Sequence, residues 1–109
     1  MKKDLPIYIR VFGHPNFEWM DGMRTKGGDL LLERDILFED TPSIDMEDPA
    51  TKGCLLHLNR KAYQDDHLYV EYDKYDDTWH VWSRGRTAVS GKTEGEALVK
   101  SILSSVAIL

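Results

Sequence analysis

The sequence predicts an α+β domain: a small antiparallel sheet of about four to five strands with two helices packed on one face. Three observations lead there. One helix signal opens at Asp48-Pro49, and a second opens at Thr93 with Glu96 three residues on. Between them, residues 67–90 alternate apolar and polar side chains across short polar turns, and turns that short join antiparallel strands. A length of 109 residues fits one domain, 1–109, and the chain carries no repeat, low-complexity tract or linker.

Ile7, Ile9 and Val11 alternate with Tyr8 and Arg10, the period of a half-buried strand, which Gly13-His14-Pro15-Asn16 ends. Residues 17–24 bring aromatic and methionine side chains without a clean period, and read as an ordered loop or short helical turn on the core. After a turn at 25–28, residues 30–38 are apolar but broken by Glu33-Arg34-Asp35. Few β-branched side chains leave strand against helix open there, and the close bounds Gly27-Gly28 and Thr41-Pro42 favour one strand or two short ones. Residues 39–47 form an acidic loop from which Ile44 and Met46 can touch the body.

Asp48 suits an N-cap. Pro49 suits the first helical position, where the N–H it lacks would have no intrahelical partner. Ala50, Cys54, Leu55, Leu58 and Ala62 then share a face, Arg60 and Lys61 complement the C-terminal dipole, and the helix should stop near Tyr63 or Gln64. Gly53 costs roughly 1 kcal/mol against alanine; a close approach of helix to sheet would justify it. Leu68, Val70 and Tyr72 alternate with Tyr69 and Glu71, and Trp79, Val81 and Ser83 with His80 and Trp82. Residues 86–89 add a short strand to this meander. Thr93 and Glu96 form a capping box for the closing helix. Its stripe of Ala97, Leu98, Ile102 and Val106, widened by Leu103, Ile108 and Leu109, suits a tail docked on the body or a homodimer through the C-terminal helix.

Charge is unevenly placed. The net −5 divides into −9 over residues 29–77, which hold 14 of the 19 acids, and +4 over the rest. An acidic middle argues against direct nucleic-acid binding and permits a basic partner, including a protein whose nucleic-acid groove is imitated. No apolar run approaches the ~18–20 residues of a membrane span, and the basic start lacks the uninterrupted apolar stretch of a signal peptide. A single cysteine fits a reducing cytosol.

The chemistry-bearing motifs are weak. Cys54 and His57 have a C-x-x-H spacing, but Cys54 falls on the expected buried stripe and no second cysteine exists. His67 and His80, in neighbouring strands with Asp65, Asp66, Asp76 and Asp77 near, lack the tight spacing of a zinc motif. Asp73-x-x-Asp76-Asp77 lacks the length and distal glutamate of a calcium loop. Gly91-Lys92-Thr93 lacks the upstream glycine of a phosphate loop. No catalytic residue, metal or cofactor is expected. Trp79 and Trp82 should point to opposite faces, leaving one with Tyr69 as an aromatic surface patch beside Arg84 and Arg86.

Four pieces carry a resemblance: Phe17-x-Trp19-Met20-x-Gly22-Met23-Arg24, Asp48-Pro49-Ala50-Thr51-x-Gly53-Cys54-Leu55-Leu56, Trp79-x-Val81 and Thr93-Glu94-x-Glu96-Ala97-Leu98-Val99. In this order the chain resembles a group of small tailed-phage and prophage proteins, over about residues 17 to 100. Lys52 replaces a more usual apolar residue there and Gly95 a frequent alanine. The resemblance implies a phage or mobile-element origin and a host-cytoplasmic location, and supplies no catalytic residue. The expected function is therefore binding, as a host-takeover or anti-defence inhibitor, for example an anti-CRISPR protein. The candidate partner-binding residues are Asp29, Glu33, Asp35, Glu39, Asp40, Asp45 and Glu47 in the acidic stretch, with Tyr69, His80, Trp82, Arg84 and Arg86 on the hairpins. Rival readings are a nucleotide-sequestering module using Arg84 and Arg86, a virion-associated protein, and an enzyme using Cys54 or the His67/His80 pair.

Overall fold

The computed structural model describes residues 6–37 and 43–106. Three helices, α1 (Ile7–Arg10), α2 (Pro49–Tyr63) and α3 (Glu94–Ser104), accompany three strands, β1 (Tyr69–Asp73), β2 (Thr78–Ser83) and β3 (Arg86–Gly91), in an antiparallel sheet of order β1-β2-β3. The α+β class stands, with three strands among the described residues in place of the expected four to five.

The two missing strands lie in the first third of the chain. Ile7–Arg10 is helical and continues as a 3₁₀ turn over Val11–Gly13. The alternation of Ile7, Ile9 and Val11 misleads because Ile7, Tyr8, Val11 and Phe12 also lie on one helical face. All four pack into or against the core, with Val11 fully buried. Residues 30–37 hold a single bridge, Arg24 to Leu30, and then a 3₁₀ turn at Glu33–Leu37 in place of a strand. Here Asp35 accepts a hydrogen bond from the Leu32 N–H, closing the turn locally. Leu31 alone of Leu30, Leu31 and Leu32 is buried, so one anchor suffices and no ladder follows.

The capping signals hold. Asp48 accepts the Thr51 N–H at 3.0 Å, and α2 ends at Gln64 in the left-handed region. Thr93 accepts the Glu96 N–H, whereas the Glu96 carboxylate reaches the Lys92 N–H, one residue before its usual capping-box target. The buried face of α2 is Thr51, Cys54, Leu55, Leu58 and Asn59; Ala50 is exposed and Ala62 half-buried.

The layering differs from two helices on one sheet face. α3 packs against all three strands, and α2 packs chiefly on α3. Being central, α3 buries Gly95, Ala97, Leu98, Val99, Ser101 and Ile102, most of its circumference. Asn59 Nδ2 of α2 donates to the Leu98 carbonyl at 3.0 Å, and the Tyr63 hydroxyl to the Ser101 carbonyl at 2.8 Å, tying the helices together. Val106, expected on the α3 stripe, lies past the helix end and is exposed; Ile108 and Leu109 fall outside the described residues. Gly53 faces open space, so no close approach explains it. The close approaches are at Gly95, against the Met46 carbonyl, and at Gly91, whose added Cβ would meet the Ala97 nitrogen at 2.6 Å.

Candidate functional site on the open face of the sheet

Strand register decides which side chains meet. Val70 lies opposite Val81, and Val81 opposite Val89, on the face that α3 covers; Trp79 packs against the core there. Tyr69 opposite Trp82, Glu71 opposite His80 and Asp73 opposite Thr78 occupy the other face, joined from β3 by Ser90 beside His80. None of these belongs to the hydrophobic core. The β2–β3 register shifts between Val81 and Trp82, leaving Ala88 as the extra residue of a bulge.

Tyr69 and Trp82, expected on a common surface, stand opposite each other on this face. Tyr69 is 47% exposed, and the Trp82 ring lies 6.3 Å from that of His80. The Trp82 Nε1–H is shielded and has no hydrogen-bond partner among the described residues.

At the β1–β2 end of this face, His80 meets two carboxylates. Its Nε2 lies 3.6 Å from Asp73 Oδ2 and 3.4 Å from Asp76 Oδ2, and its side chain is only 16% exposed. Nδ1 sits 2.7 Å from the Ser90 hydroxyl, and the Thr78 hydroxyl is 3.1 Å from Nε2. The opposite oxygens of the carboxylates are anchored in the turn: Asp73 Oδ1 accepts the Tyr75 N–H at 2.9 Å, and Asp76 Oδ1 accepts the Thr78 N–H at 3.1 Å. The Thr78 hydroxyl holds the Asp76 carboxyl below the usual range, and His80 lowers it further. Tyr72, on the other face, donates to Asp77, which pushes its phenol up.

The rival His67/His80 pair does not come together. His67 is exposed and lies beyond the far end of β1, while His80 pairs with Glu71. Asp66 is exposed, and Asp65 serves the other hairpin: it accepts the Ser83 hydroxyl and the Arg84 N–H, which hold the two-residue turn Arg84-Gly85. Both turn residues have positive φ, as a tight type I′ hairpin requires. From sequence, Asp73 is weighed only as part of a calcium loop and Ser90 not at all; neither is placed beside His80. The signal that could have found them is the register itself, which folds Asp73 back over Thr78 and Ser90 onto His80 once the strand ends are known.

The other candidate residues are dispersed. The Arg84 guanidinium donates to the Tyr63 and Gln64 carbonyls at the C-terminus of α2, so it caps that helix. Arg86 is exposed and lines an open depression of about 510 Å³ with Tyr63, Ser83, Arg84 and Ala88. In the acidic stretch, Asp29 and Glu33 are exposed and Asp35 closes its 3₁₀ turn. Asp45 accepts the Glu47 N–H, and Glu47 accepts the Thr93 hydroxyl and the Gly95 N–H. Glu39 and Asp40 lie outside the described residues. Cys54 is buried, and burial, with the Asp21 and Asp48 charges, pushes its thiol up, away from the reactive thiolate. No described helix is long and apolar enough to cross a membrane. No family model, curated protein or solved structure matches the chain.

Proposed function

We propose that this protein acts by binding, and that the open sheet face carrying Tyr69, His80 and Trp82 meets a basic surface on a protein partner. The observation that carries the reading is a sheet with one face packed on α3 and the other carrying the pair Tyr69 and Trp82 outside the core. Aromatic side chains are the usual anchors of protein interfaces. Glu71, Asp73, Asp76 and Asp77 lie on or beside that face, with Lys74 the base of the β1–β2 turn, so the complementary partner is positively charged. The resemblance to tailed-phage and prophage proteins makes the partner a host or defence protein, such as a nucleic-acid-binding enzyme, and the chain its inhibitor in the host cytoplasm.

Immobilised wild-type chain and a Tyr69→Ser/Trp82→Ser variant, incubated with bacterial lysate, test this. The wild type should enrich a nucleic-acid-binding protein that added DNA or RNA competes away and that the variant fails to hold. Equal capture by the variant, or capture no better than by a charge-matched control protein, refutes the proposal.

A further inference from the structure

The cluster at the end of the β1–β2 hairpin has a chemistry beyond partner recognition. We infer that His80, Asp73 and Asp76 form a binding site for a divalent first-row transition-metal ion, zinc foremost. This rests on side-chain geometry and is independent of the partner reading.

The three ligand atoms, His80 Nε2, Asp73 Oδ2 and Asp76 Oδ2, lie within 4.8 Å of one another. With metal–ligand bonds near 2.0–2.1 Å, two ligands of a tetrahedral ion stand roughly 3.3–3.4 Å apart. The His80–Asp76 and His80–Asp73 separations, 3.4 and 3.6 Å, already meet that spacing to within a few tenths of an ångström. The third separation, between the two carboxylate oxygens, is within 4.8 Å, so all three ligand atoms can face one ion. The donor set, one imidazole nitrogen and two carboxylate oxygens, suits zinc, manganese or iron better than magnesium or calcium, which take all-oxygen shells.

The second observation is how the ligands are held. Each carboxylate commits Oδ1 to a backbone N–H of the turn and turns Oδ2 toward the imidazole. The Ser90 hydroxyl meets Nδ1, the position from which an outer partner fixes the tautomer of a metal-binding histidine. In the tautomer that donates Nδ1–H to Ser90, the Nε2 lone pair faces the two carboxylates and is placed to share a cation with them; in the other tautomer Ser90 donates to Nδ1 and Nε2–H points at the carboxylates. A proton on Nε2 is the competing occupant, and the experiment separates the two. Three protein ligands leave the remaining coordination positions to water or to a group brought by another molecule.

The test is calorimetric titration of zinc chloride into the metal-stripped full chain at pH 7, with magnesium and calcium chloride as parallel arms. One zinc ion per chain is expected, with neither alkaline-earth ion binding at the same concentrations. His80→Gln and Asp76→Asn should abolish binding, while His67→Gln leaves it unchanged. Ser90→Ala keeps every ligand and should weaken affinity about 10–100-fold, so it reads the site even if a ligand variant folds poorly. Cobalt(II) gives a second readout: a visible absorption band and quenching of tryptophan fluorescence, both lost in His80→Gln. Absence of zinc binding, which leaves the cluster a histidine–aspartate ion pair only, overturns the proposal. So does binding that survives His80→Gln and therefore belongs to another histidine.

Discussion

Gly53 and Gly95 both lie inside helices, yet the structure assigns opposite signs to the same change. An added Cβ on Gly95 would stand 2.5 Å from the Met46 carbonyl carbon, closer still to its oxygen, and 2.6 Å from Glu47 Oε2. Comfortable carbon contacts lie at about 3.5–4.0 Å. The backbone at Met46 must therefore retreat by ~1 Å or more, pulling Glu47 away from Thr93 and the Gly95 N–H. Overpacking of this kind costs about 1–3 kcal/mol, and the lost carboxylate bonds add to it. Against this, alanine gains at most ~1 kcal/mol of helix propensity. Gly95→Ala should lose about 2 kcal/mol net, whereas Gly53→Ala, into open space, should gain up to ~1 kcal/mol. At about 4 °C or more per kcal/mol for a domain of this size, Tm falls by about 8 °C in the first variant and rises by about 4 °C in the second. Urea unfolding followed by far-UV circular dichroism should show midpoints moving in opposite directions with m unchanged. A Gly95→Ala chain as stable as wild type, or a destabilised Gly53→Ala chain, refutes the packing argument.

Asp48→Ala removes the cap that serves both the Thr51 N–H and its hydroxyl, and should cost about 1 kcal/mol in the same urea assay. Asp65 is held below the usual carboxylate range by the His67 N–H first, then by the Ser83 hydroxyl and the Arg84 N–H. Its contribution is complete above the ordinary aspartate value near ~4 and drains away as the pH falls through the lowered folded value. Thermal unfolding between pH 5 and pH 2, set by those values at roughly the aspartate range, should show a smaller acid loss in Asp65→Asn than in wild type. Cys54 should react with iodoacetamide at least about tenfold more slowly in the native chain than in denaturant, since its buried thiol resists ionisation. Comparable rates would mean the α2 face opens readily.

Local chemistry wrote the second half of the chain plainly. Asp48-Pro49, the Thr93 cap and the alternations around Val70 and Val81 act within a few residues of themselves, so they can be read without knowing what lies across the fold. The first half was not legible in this way. Ile7 to Phe12 satisfies a strand period and a helical face equally, and only its contact with α3 settles the choice. Residues 30–38 looked like a strand because turn-formers bound them, but Asp35 closes a 3₁₀ turn before any ladder can form.

The candidate site divides along the same line. Composition and alternation determined that a hairpin carries Tyr69, His80 and Trp82, and that the middle of the chain is acidic. Tertiary structure decided the rest. Strand register set Trp82 opposite Tyr69 and made Asp73, Asp76 and Ser90 the neighbours of His80. Packing also made Arg84 and Glu47 ties between elements. The physical reason is range: caps and periodicities are set by neighbours in sequence, whereas a cluster of polar groups depends on distances between strands and helices that no local pattern records.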